Sequence, residues 1–190
     1  QQRPEQKGPI GMPASLRGRA ALADSHGAKQ VISQDLLGVI RGGFALNLTG
    51  IHGEAHWARV CDNGLVLAEQ TGADPEVVGL FAYLHDSKRQ SDGWDLEHGQ
   101  RAADFVRYLA GSLLHLSGAK LDLLVYACAH HSDGLTEADV TVQTCWDADR
   151  LDLGRISIQP DPRYLCTPAA QEPSMIEWAL DRSQDRSRAG

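Results

Sequence analysis

Phe81-Ala82-Tyr83-Leu84-His85-Asp86-Ser87-Lys88-Arg89 is an apolar run that ends abruptly in an imidazole, a carboxylate and three further polar groups. A chain that stops burying side chains and starts offering ligand atoms marks a candidate site. The same change recurs where Leu121 to Ala129 runs into His130-His131, and where Cys145-Trp146 runs into Asp147-Ala148-Asp149. His52 and His56 stand four apart ahead of all three, a spacing that puts two side chains on one helix face. Imidazole nitrogens mixed with carboxylates suit Zn, Fe, Mn or Co, and the lack of clustered thiols disfavours a structural zinc site. Adjacent residues on a helix diverge by about 100°. His85 and Asp86 therefore converge on one ion only where their helix meets a cavity and other helices bring the remaining ligands.

The elements that must do this positioning read as helices. Ile32 to Leu46 carries an apolar stripe weakened by Gly42-Gly43, and Asn47-Leu48-Thr49-Gly50 follows as a turn. Glu54 to Gly72 keeps a helical face with Gly72 as its C-cap, and Asp74-Pro75 opens the helix that ends in His85-Asp86. Trp94 to Leu109 is expected as a helix carrying His98, and Lys120 to Ala129 as a buried one. Thr136, with Asp139 three residues on, is expected to open the helix leading to Asp149 through a variant capping box. The segment 159–168, with three prolines, reads as irregular, and Ser174 to Leu180 as a terminal helix. Strand signals are scarce and no repeat is visible, so the expected fold is all-α, a single-domain helical bundle over residues 31–182. Residues 1–30, rich in Gly, Pro, Arg and Gln, read as a flexible lead, and residues 183–190 as a disordered tail.

Bulk properties narrow the function classes. The chain has 190 residues and a formal charge of -7, a balance opposed to general nucleic-acid or anionic-membrane binding, which needs clustered Lys and Arg. The longest apolar stretches fall far short of the roughly 20 residues of a membrane span. No signal-peptide order stands at the start. Four cysteines without a CxxC pair fit a reducing cytoplasm. Trp57, Trp94 and Trp146 flank the candidate ligands and read mainly as core, with a dry wall around the site as the other reading. His26 and His115 lack such contexts and read as ordinary surface residues.

The ordered series His56-Trp57-Ala58-Arg59-Val60, Leu84-His85-Asp86 and Ala148-Asp149-Arg150-Leu151 resembles the HD-domain superfamily of metal-dependent phosphohydrolases. It spans roughly Ile51 to Arg155. The resemblance implies that His56, His85, Asp86 and Asp149 hold one metal, with Asp147 as the alternative last ligand. It also implies that His98 and His131, or His130 in its place, bind a second ion bridged through Asp86. The cofactor expected is thus one or two divalent transition ions from Mn, Fe, Co, Ni or Zn. His52, His130 or His131, whichever binds no metal, is the candidate proton donor. Ser87-Lys88-Arg89 replaces the frequent HDxGK continuation, leaving Lys88 or Arg89 to grip a phosphate. Arg59 either faces the cavity or pairs with Asp62 or Asp152. A small nucleotide or phosphorylated metabolite is the implied substrate, and superfamily members often form homodimers. Two rivals share the fold: a di-iron oxygenase cleaving a C–C or C–P bond, and a non-catalytic binding module.

Overall fold

The computed structural model describes residues 32–184. Both the lead at 1–30 and the tail from 185 lie outside the described residues. Eight α-helices follow in order: α1 Gln34–Gly43, α2 Glu54–Thr71, α3 Pro75–Leu84, α4 His98–Leu109, α5 Gly118–His130, α6 Val140–Arg150, α7 Pro168–Gln171 and α8 Pro173–Gln184. Short 3₁₀ turns cover Leu151–Ile156 and Pro162–Tyr164. Apart from an isolated bridge between Ala110 and Leu114, every regular element among the described residues is helical, so the protein is all-α.

Local chemistry sets the helix ends. Gly72 adopts φ 77°, the left-handed region open to glycine, and its N–H caps Ala68. Asp74 accepts from the N–H groups of Glu76 at 2.9 Å and Val77 at 3.2 Å, and Pro75 needs no partner in the first turn. Caps of this kind stabilise by about 1 kcal/mol. Several boundaries differ from the sequence expectation. The first helix is shorter than 32–46, because its stripe ends at Gly42-Gly43. The segment 94–97 stays outside α4. Asp139, rather than Thr136, caps α6 by accepting from Thr141 N at 2.8 Å. The final helix runs to Gln184, beyond the expected 174–180.

α3 decides the architecture. Its residues from Val77 to Ala82, together with Leu84, are all buried, and a helix apolar on every side must lie inside. It packs against α1, α2, α5 and α6, so its C-terminus brings His85 and Asp86 to the middle of the protein. Trp57 on α2 and Trp146 on α6 are fully buried beside it, the latter donating its indole N–H to Ala127 O at 3.1 Å. Replacing either by Ala would cost about 3–5 kcal/mol. Trp94, by contrast, is 91% exposed and belongs neither to the core nor to a dry wall. A second apolar cluster joins Leu67 and Leu151 to Leu165, Met175 and Ile176, clamping α7 and α8 over the chain that leaves α6.

Candidate metal centre

Five helices contribute to one buried cluster. His52 precedes α2, His56 lies in its first turn, and His85-Asp86 follows α3. His98 opens α4, His131 follows α5, and Asp149 stands near the end of α6. The helix pair α4 and α5 approaches closely at Gly99, where a Cβ would lie 2.8 Å from the carbonyl oxygens of both Cys128 and Ala129. Only glycine permits that distance, which sets His98 against His131. α6 continues into the 3₁₀ turn, so Asp149 and Asp152, three residues apart, look the same way.

Four imidazoles share one orientation. His56 donates from Nδ1 to Asp152 Oδ2 at 2.7 Å. His85 directs Nδ1 to the carbonyls of Phe81 and Ala82, each at 3.2 Å, while its ring stacks on Phe81. His98 donates from Nδ1 to the Asp95 carbonyl, and His131 from Nδ1 to Cys128 O at 2.8 Å. Each Nδ1 faces an acceptor, so the proton sits there and each Nε2 presents a lone pair inward. Outer acceptors of this kind fix the tautomer of metal-binding histidines.

The four lone pairs divide between the two oxygens of Asp86. Asp86 Oδ2 lies 3.7 Å from His56 Nε2 and 3.6 Å from His85 Nε2. These two nitrogens are 3.2 Å apart, and Asp149 Oδ1 stands 3.5 and 3.7 Å from them. Asp86 Oδ1 lies 3.4 Å from His98 Nε2 and 3.5 Å from His131 Nε2, themselves 2.8 Å apart. Ligand atoms about 2.1 Å from a common ion stand roughly 3.0–3.4 Å from one another. The observed spacings approach this, and the inward nitrogens and carboxylate oxygens together offer a cation several donors at once. The donor set therefore fits a divalent metal, and the buried cluster is compatible with a centre of the HD type.

Electrostatics favour the ligand forms. Burial pushes His85 down to about 3 despite Asp86 and Asp149, and it lowers His56 and His98 too. Burial opposes the Asp86 charge, but His85, His131 and His52 outweigh it and hold the carboxyl well below the usual range. Asp149 is drawn to about 2 against burial by His85, Arg155 and His56. His131 moves the other way, since the adjoining Asp86 carboxylate more than offsets its burial.

The remaining candidates are distributed as follows. His52 is buried, donates from Nδ1 to Asp86 Oδ2 at 2.8 Å, and forms with His56 and Asp86 a further group whose atoms lie close enough to hold an ion. Asp147 is turned away, accepting from the N–H groups of Cys166 and Thr167 at 2.6 and 2.8 Å, and Asp149 is the carboxylate that faces His56 and His85. His130 also falls outside: it pairs with Asp133 Oδ2 at 2.7 Å, with 38% of its side chain exposed. Arg59 is committed to Asp152 through Nε at 2.6 Å and Nη2 at 3.0 Å, so its guanidinium backs His56 rather than reaching for a substrate. Lys88 places Nζ 3.8 Å over the Phe105 ring, whereas Arg89 reaches the cluster. His115 is exposed, as expected, and His26 lies outside the described residues. Asp152, which orients His56 and is fully buried, enters the sequence expectation only as a partner for Arg59. Its three-residue spacing from Asp149 was the available signal.

Comparison of the chain with described families, with curated proteins and with solved structures gives no match. No described helix is long and apolar enough to cross a membrane.

Proposed function

We propose that the protein is a metal-dependent phosphohydrolase of the HD type, acting on a phosphate ester or anhydride of a small nucleotide or phosphorylated metabolite. The observation that carries this reading is the convergence of four imidazole Nε2 atoms on the two oxygens of one buried carboxylate, Asp86. His56, His85, Asp86 and Asp149 would hold a divalent transition ion, which when bound supplies a water of lowered pKa and positive charge for phosphoryl oxygens. The chain's own residues do the positioning. Asp152 fixes the His56 ring, backbone carbonyls fix His85, and His52 holds a proton at Nδ1 against Asp86 Oδ2. A cleft of about 340 Å³ lined by Arg89, Trp94, Leu96, His98 and Ser132 adjoins the cluster, giving an anionic ligand both room and a cation. Phosphoryl transfer asks mainly for such placement and charge.

The test is a panel of phosphate monoesters, diesters and nucleotides offered to chelator-stripped protein before and after Mn²⁺ is restored. Turnover that appears only with the ion, and is lost in Asp149→Ala, is expected. Equal turnover in the stripped protein would overturn the reading, and so would O₂ consumption by iron-loaded protein given a phosphonate or polyol, without phosphate release from any ester.

A further inference from the structure

The two sides of Asp86 are not equivalent. Around Oδ2, the inward nitrogens of His56 and His85 meet each other and the carboxylates of Asp86 and Asp149, while His52 donates to that oxygen through Nδ1 at 2.8 Å. Around Oδ1, a guanidinium has already entered. Arg89 Nη1 lies 3.3 Å from Asp86 Oδ1 and 3.1 Å from His98 Nε2. Its Nε donates to Ser91 O at 3.0 Å and its Nη2 to Gly93 O at 3.1 Å. The side chain is 14% exposed, and the loop carrying it is pinned by Asp95, which accepts from Gln90 N at 2.7 Å and from Arg101 Nη2 at 2.6 Å.

We propose that Arg89 is a resident cation that occupies the second metal position, so that the protein binds one ion tightly and the His98–His131 side opens to an ion only when this guanidinium is removed. This rests on reading the cluster as a metal centre. His98 donates from Nδ1 to the Asp95 carbonyl, leaving a single lone pair on Nε2. That lone pair accepts from Arg89 Nη1 or binds an ion; it cannot do both. The same Nη1 also sits on the oxygen of Asp86 that a second ion would need. Within a buried centre a fixed positive charge at such range strongly opposes a divalent cation. Four acceptors hold the guanidinium, so it does not drift aside of its own accord.

Chelator-stripped protein titrated with Mn²⁺, with free ion read by electron paramagnetic resonance, tests this without any activity assay. Native protein is expected to take up one ion per chain. Arg89→Gln is expected to take up two, the second binding at least about a hundredfold more tightly than any second event in the native protein. Arg89→Met, which keeps the aliphatic stem, gives the same readout should Arg89→Gln not fold, as judged by far-UV circular dichroism. Adding His98→Ala to either variant is expected to return the count to one. Two ions of similar affinity in the native protein would overturn the proposal, as would a single ion in a folded Arg89 variant. No ion in any of these proteins would overturn the metal-centre reading together with the proposal.

Discussion

The two halves of the cluster solve the same problem, a pair of buried imidazole Nε2 atoms against one oxygen of a shared carboxylate, in different ways. The His56–His85–Asp149 half is built from α2, α3 and the α6 continuation, is nearly sealed, and is backed by the Asp152 carboxylate with Arg59 behind it. The His98–His131 half depends on α4 and the 87–97 loop, borders an open cleft, and is filled by Arg89. Burial without compensation is costly for such groups. In the first half the cations Arg59 and Arg155 stand behind Asp152 rather than among the inward nitrogens, while in the second the Arg89 guanidinium touches His98 Nε2 itself. On the proposed function, that difference would separate a place for a tightly held ion from a place for an incoming anion.

Asp86 is the only ligand the halves share, so its loss should be the largest effect: Asp86→Ala is expected to abolish metal uptake and hydrolysis together, checked by elemental analysis and the phosphate panel. Acid comes next. The folded pKa of His85 is depressed to about 3 from 6.5, so its neutral form stabilises the metal-free fold above about 6.5 and that stability is lost as pH falls towards 3. His56 and His98 act in the same direction, while His131, raised by Asp86, acts in the opposite one. Melting temperatures of stripped protein should therefore fall on acidification from pH 6.5 to 4; a rise would show that His131 dominates.

Asp152→Asn should strike one half alone, lowering affinity for the tightly bound ion by about 10–100-fold in a chelator competition. Gly99→Ala should strike the other, since its Cβ would meet two carbonyls at 2.8 Å. A loss of about 1–3 kcal/mol is expected, visible as a lower melting temperature with the first ion still bound. His130→Ala should do least, within about 0.5 kcal/mol and with unchanged metal content, because His130 pairs with Asp133 and lies against the exposed Tyr126 ring, both at the surface.

What could be read in the sequence was what local pattern determines. The apolar run 77–84 announced a buried α3, and the caps at Asp74 and Gly72 set its neighbours. The types and order of the residues that converge on Asp86 were legible for the same reason. Long-range choices were not. Asp147 and Asp149 differ only in the helix face they present, and which face looks inward follows from how Cys166 and Thr167 return to α6. Likewise His130 and His131 differ by one step at a helix end. The position of Arg89 depends on a loop whose carbonyls grip it, and no periodicity encodes that. Trp94 next to His98 suggested core, yet the loop holds it out in solvent.

The most direct measurement is elemental analysis of protein purified without chelator or histidine tag. The account predicts one tightly held ion of Mn, Fe, Co, Ni or Zn per chain, absent from Asp149→Asn with unchanged helix content. Protein that contains no metal, takes none up on reconstitution and gains no thermal stability from added ions would contradict it.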